Sequence, residues 1–314
     1  MKTPSCLLLL LGAMTCTPGL AGQFGSFIYS ESGGKITITG LVNFGTGATG
    51  TIPGSINGKP VTAIGESALG GSVFESVTIP NSVTTIGYGA FNVSFYLSSL
   101  NLGTGVTRID DNAFYLCSRL QNLTLPSSLT SVGNFAFASC ALKHVTIPAK
   151  LTHIGNLPFA YCNLLTSLSV DPLNPVFSGD GISCFDKAKT TLVLCPSGYD
   201  GTYVVPGTVT IIGANAFAGN TVLDDVVITP KVTQIQDGAF FYCQHLMGIH
   251  VDAKNSMYST VDGVCFDKGE TTLVAYPNGR TGNYVVPDTV TMIGNQAFAG
   301  ANLLRTIQLP APSS

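Results

Sequence analysis

The feature that most constrains this chain is an internal repeat. The stretch Val83-Thr84-Thr85-Ile86-Gly87-Tyr88-Gly89-Ala90-Phe91 recurs with its Ile or Val anchor at Ile64, Ile86, Ile109, Val132, Ile154, Ile212, Ile235 and Ile293. Successive anchors lie 22, 23, 23, 22, 58, 23 and 58 residues apart. Five residues after each anchor stands Leu69, Phe91, Phe114, Phe137, Phe159, Phe217, Phe240 or Phe298. A fixed period near 22 is the mark of a repeat architecture, in which each unit is too small to bury its own apolar face and does so only against its neighbours.

Each unit carries a short β-branched run that stops at proline, as in Val77-Thr78-Ile79-Pro80, Leu123-Thr124-Leu125-Pro126 and Val145-Thr146-Ile147-Pro148. Alternation turns Val77 and Ile79 to one face and Thr78 to the other. Proline lacks a donor for the ladder and ends the strand. The Val-x-x-Ile-Gly segment follows, then a short helical turn bearing Ala-Phe. These units predict a β-rich solenoid: a right-handed coil with a parallel sheet and short helical turns. At roughly 4.8 Å per rung, eight units would extend for about 40 Å.

The two 58-residue intervals resemble each other. Asp180-Gly181-Ile182-Ser183-Cys184-Phe185-Asp186-Lys187 parallels Asp262-Gly263-Val264-Cys265-Phe266-Asp267-Lys268, and both intervals return through Tyr-Val-Val-Pro at 203–206 and 284–287. Two apolar strands around a polar turn predict a β-hairpin on the solenoid flank, near 171–205 and again near 252–286. The Asp-Gly pairs lack the spaced oxygen ligands of a calcium loop and read as plain turns. Residues 22–60 lack Ala-Phe; two alternating strands about Gly33-Gly34 predict an N-terminal β cap, with the solenoid over 61–314.

Pro80-Asn81-Ser82-Val83-Thr84-Thr85-Ile86-Gly87-Tyr88-Gly89-Ala90-Phe91 and its copies resemble the BspA-type leucine-rich repeat family, from about residue 58 to 310. The resemblance implies a curved right-handed solenoid on exported or cell-surface proteins, whose members are linked to adhesion and to binding of matrix or host proteins. It brings no catalytic, cofactor or ligand motif. Departures are Leu69 for Phe, Asp110 and Gln236 for Gly, and Pro158 for Ala; they touch single rungs.

The N-terminus has the parts of a secretory signal over residues 1–21: Lys2, the apolar run Leu7 to Leu11, and the small-x-small site Gly19-Leu20-Ala21. Cys16 follows Thr15, a poor setting for a lipid-anchoring cysteine. Of nine cysteines, seven lie beyond the signal, an odd number that argues against a complete disulfide framework. Cys117, Cys140, Cys162 and Cys243 each stand three residues after the repeat Phe, where Asn220 stands in another unit. That exchange suits a packed interior column better than the alternatives, a disulfide chain or a metal site.

Charge is sparse, 10% of residues with a net of −3, and no basic cluster occurs, so nucleic acid and anionic membrane are not expected partners. No apolar run beyond the first two dozen residues is long enough for a membrane helix. Outward strand positions fall at Ser76, Thr78, Ser99, Asn101, Asn122, Thr124, His144, Thr146, Ser167 and Ser169, continuing through Asp225, Val227, His250, Thr306 and Gln308. Ser99 to Ser169 form the candidate binding face, a row of hydroxyl and amide groups suited to a broad polar partner. The row lacks the Trp, Tyr and Arg that dominate tight protein interfaces. The histidines form no metal-spaced pair, no nucleophile elbow marks a serine hydrolase, and no phosphate loop or other cofactor motif occurs. The expectation is a secreted or cell-surface module that binds an extracellular protein or glycan without catalysis. The alternatives are a structural repeat segment of an envelope or extracellular assembly and, remotely, a hydrolase.

Overall fold

The computed structural model describes residues 20–42 and 49–310. The expected export signal lies outside the described residues except for Leu20 and Ala21, which begin the strand Leu20–Phe24. That strand pairs antiparallel with Phe27–Ser32, and Phe27–Ser32 with Lys35–Leu41. Lys35–Leu41 then runs parallel to Lys59–Ile64, setting Ile38 beside Ile64. A meander thus turns into a coil at one strand.

From there the anchors form a parallel ladder in register: Ile64 beside Ile86, Ile86 beside Ile109, Ile109 beside Val132, Val132 beside Ile154. In this run every anchor but the half-buried Ile154 is fully buried. The threonine of Val-Thr-x-Ile has a definite use. Thr84 Oγ1 donates to Thr62 O at 3.2 Å, Thr107 to Thr84 O at 3.1 Å, and Thr130 to Thr107 O at 2.9 Å. A second parallel wall contains Thr49–Thr51, Ser76–Thr78 and Ser99–Asn101, a single bridge to Asn122, and the pair His144–Ile147 and Ser167–Val170.

The Ala-Phe segments are chains of single turns that never continue into a helix. Ala90, Asn92 and Ser94 N–H groups bond three residues back, to Gly87, Gly89 and Phe91, while Gly89, Phe91 and Val93 donate to Asp111, Ala113 and Tyr115 of the next coil. A left-handed residue at Gly89 and Val93, and again at Asn112 and Leu116, breaks the helix after each turn and swings alternate amides outward. A continuous helix would direct all of them along its own axis. The repeat Phe rings stack behind these turns, with centroids 5.0 Å apart for Phe91–Phe114, 5.1 Å for Phe114–Phe137 and 5.8 Å for Phe137–Phe159.

Each long interval holds more than a flank hairpin. Phe177–Gly179, Cys184–Asp186 and Thr191–Leu194 form an antiparallel meander whose last strand turns parallel to the solenoid and places Leu192 beside Ile212. The second interval repeats this with Tyr258–Val261, Val264–Asp267 and Thr272–Ala275, placing Leu273 beside Ile293. Leu192 and Leu273 therefore occupy the Ile position, and each insertion supplies an extra rung. Its turn is held by Asp186, whose carboxylate accepts the Thr190 and Thr191 amides at 2.7 and 2.8 Å, and by Asp267 in the copy. Burial pushes the Asp186 carboxyl up, but the Thr191 and Thr190 donors outweigh it and hold it below the usual carboxylate range.

Buried asparagines fasten the long coils. Asn174 Nδ2 donates to Pro148 O and Leu151 O, both at 2.8 Å, and its Oδ1 accepts the Val176 and Phe177 amides. Asn255 and Asn220 make the same four bonds in their own coils. All three are fully satisfied, as burial of an amide demands.

Two stability measurements test this architecture. Phe137→Ala empties the middle of the ring stack and is expected to cost about 3–5 kcal/mol in denaturant unfolding. Asn174→Ala leaves two carbonyls and two amides without partners and is expected to cost about 3 kcal/mol. Unchanged transitions would contradict the stacking and the anchoring respectively.

Candidate functional site

The in-register ladder sets the outward residues of the second wall side by side. Ser76 stands beside Ser99, Thr78 beside Asn101, Ser99 beside Asn122, His144 beside Ser167 and Thr146 beside Ser169. Ser99, Asn101, Asn122, Thr124, His144 and Thr146 are exposed; Ser167 and Ser169 are half-buried. The difference has a local cause. After Ser167–Val170 the chain enters the first insertion, and Ile182 O accepts the Leu168 amide at 2.7 Å, so the meander takes the place of the next rung and flanks the face.

His144 sits in the middle of this row. Its Nδ1 lies 2.8 Å from Ser167 Oγ and its Nε2 3.2 Å from Thr146 Oγ1. Both ring nitrogens are engaged by hydroxyls, and neither bonds a carboxylate that would orient the ring as a general base. The Ser–His contact thus holds the surface in one arrangement without forming a triad.

The continuation of the wall places His250 Nε2 2.9 Å from Asp225 Oδ1, both partly exposed. The sequence pattern lists both residues as outward but does not join them. The signal was available in the spacing, because 25 residues is one coil plus a diagonal step along the neighbouring strand. Among the described residues no group of three or more His, Cys, Asp or Glu side chains is placed to hold a metal ion.

The cysteines lie inside. Cys117 Sγ donates to Phe91 O at 3.3 Å, Cys140 to Phe114 O at 3.3 Å, Cys162 to Phe137 O at 3.2 Å and Cys243 to Phe217 O at 3.1 Å. Ser94 Oγ makes the equivalent bond to Leu69 O. The column thus needs a small donor reaching the carbonyl one coil back. All seven described thiols are free and buried. Burial pushes the Cys162, Cys184 and Cys265 thiols up to about 12. A thiolate is the metal ligand and nucleophile, and these sites disfavour it.

Coils with strands on two walls and a bonded turn on the third define the chain as a leucine-rich repeat solenoid. Residues 54–166, 201–278 and 274–313 match the BspA type leucine rich repeat region in six copies, and the chain belongs to that family. Among solved structures it is similar to a leucine rich cell surface protein of Faecalibacterium prausnitzii, at 22% identity and a TM-score of 0.56, covering 94% of this chain and 95% of that one. It is similar to a leucine-rich repeat protein of Eubacterium ventriosum, at 20% identity and a TM-score of 0.56, covering 91% and 83%. The pneumococcal vaccine antigen PcpA aligns at 20% identity and a TM-score of 0.62, covering 94% and 82%. These likenesses show the fold. Comparison with curated protein sequences finds no match.

The buried thiols give the solenoid a pH dependence. Their folded values lie above the ordinary 9.0, so their contribution is whole below about pH 9 and is lost as pH rises toward 12. Urea midpoints are expected to fall between about pH 8 and about pH 11, and to fall less in Cys162→Ala. An equal fall in that variant would remove Cys162 from the explanation.

Proposed function

We propose that this chain is an exported or cell-surface interaction module whose polar wall, centred on Asn122, His144 and Thr146, meets an extracellular protein or glycan by broad, shallow contact. The observation that carries the reading is a row of exposed hydroxyl, amide and imidazole groups on two in-register parallel segments, one from Ser76 to Asn122 and one from His144 to Ser169. Such a row offers donors and acceptors at the strand spacing of roughly 4.8 Å, a match for a partner with its own repeating polar groups. With few aromatic or arginine anchors, affinity comes from many weak contacts and benefits from several modules engaging at once. The surface location draws support from the family and from the description of the Faecalibacterium relative as a cell surface protein.

Binding to an array of glycans and matrix proteins tests the reading. A reproducible ligand is expected, with affinity reduced tenfold or more by Asn122→Lys combined with Thr146→Lys, while the exposed Thr291→Lys on the other ladder leaves it unchanged. Absence of any ligand on such an array favours a structural repeat segment of an extracellular assembly, and binding indifferent to the paired substitution moves the contact away from this wall.

A further inference from the structure

The two insertions are copies, yet they leave different spaces. In each, the inserted rung enters the ladder and parts the first half of the turns before and after it, while their far ends still meet at Tyr161 and Gly219 and at Tyr242 and Gly300. Around the first, the gap between Leu157–Ala160 and Asn215–Ala218 has shrunk to about 10 Å³. Around the second, the gap between Ile235–Phe241 and Gly294–Ala299 is a cavity of about 200 Å³. The residue exchanges explain the difference. Leu157, Pro158 and Leu194 close the first; Gly238, Ala239 and Ala275 stand at the same places in the second. A Cβ on Gly238 would meet Gln296 Oε1 at 2.6 Å and Asn215 Oδ1 at 2.7 Å, so the bare backbone there is what admits the Gln296 amide.

The open copy also carries a carboxylate and more amide groups. Asp237 replaces Asn156, Asn295 and Gln296 replace Ala214 and Asn215, Asn278 replaces Ser197, and Tyr258 replaces Phe177. Asn295 Nδ2 reaches across the mouth to Asp237 Oδ2 at 3.2 Å. Asn278 is 2% exposed; its Nδ2 donates to Phe240 O and Ala299 O, and its Oδ1 has no bond among the described residues. The Gly238 and Phe240 amides likewise make no bond to the following coil, because Tyr276 of the inserted rung donates to Ala297 O instead. The floor is apolar, formed by Phe240, Ala275 and Ala297.

The geometry points to a binding site for a single neutral sugar ring, a glycan's terminal residue, in the cavity between the coils of Ile235 and Ile293. A cavity of about 200 Å³ has room for one such ring. A neutral polyhydroxy ring matches the whole lining. A sugar offers hydroxyls that donate to the Asp237 carboxylate and accept from the amides, and a C–H face for the apolar floor. A phosphate would meet Asp237 with no cation among the lining residues. A purely apolar ligand would leave the carboxylate and amides without partners, at a cost of about 1–3 kcal/mol for each buried group. This site is separate from the polar wall and does not depend on the reading of that wall.

Saturation-transfer NMR and titration with methyl glycosides of glucose, galactose, mannose and N-acetylglucosamine test the proposal on the full chain. At least one glycoside is expected to bind. Asp237→Asn and Gly238→Leu, which install the residue types of the first copy, are each expected to weaken it tenfold or more. Asp237 is exposed, so the first of these keeps the proposal testable if the second fails to fold. Asn122→Lys with Thr146→Lys is expected to leave glycoside binding unchanged, which separates failure of this site from failure of the wall. No binding of any glycoside at millimolar concentration, binding that survives Asp237→Asn, or binding of ethanolamine in place of every glycoside would overturn the assignment.

Discussion

Each coil of this protein depends on the next for its backbone hydrogen bonds. In the turn column, every second amide points along the solenoid axis, as when Phe91 donates to Ala113 O and Phe114 to Ala136 O at 2.7 Å each. On the Ile ladder the threonine hydroxyls donate the other way, each to the coil before it. A coil in isolation would leave its Ile and Phe in water and its axial amides bonded only to solvent, so it gains neither apolar burial nor a ladder. Stability is therefore a sum over neighbouring pairs, and the unit of design is the interface between coils.

That constraint governs how the chain tolerates its two insertions. A hairpin hung on the flank would leave the coils on either side touching as before. Here the inserted strand takes a place in the ladder, so Leu192 and Leu273 replace an Ile and Cys195 and Tyr276 donate where a repeat Phe otherwise would. Tyr203 keeps the aromatic stack going by meeting Phe217 edge-on, with centroids 5.2 Å apart. The walls survive, and the turn column yields. A gap opens only on that third side, and its contents vary because nothing in the ladders depends on them.

The coil, the Ile and Phe columns and the outward row were legible in the sequence because a strict period converts one local reading into a spatial one. Other features were not. The Ala-Phe segment reads as helical, since its i, i+3 bonds are those of a helix turn; the left-handed Val93, Leu116, Phe135 and Tyr161 that interrupt it carry no residue signature. The extra rung was hidden because Leu192 lacks the following glycine and the Ala-Phe of its counterparts. The outward wall could be assigned residue by residue, and the spacing sets His250 diagonal to Asp225, but the rotamers that close the His144–Ser167 and His250–Asp225 contacts are not encoded by a period. The inter-coil cavity arises from residues 58 apart, so it became visible only once the inserted rung was placed between them.

The thiol column has one more consequence. With Cys184, Cys195 and Cys265 of the insertions, the seven buried thiols are spread along the axis from Cys117 to Cys265. In a quasi-one-dimensional protein, opening can start at an end or at a weak internal junction and travel. The cysteines therefore form a graded set of internal markers, and the order in which they meet a small alkylating reagent would read out where along the solenoid the stack first comes apart.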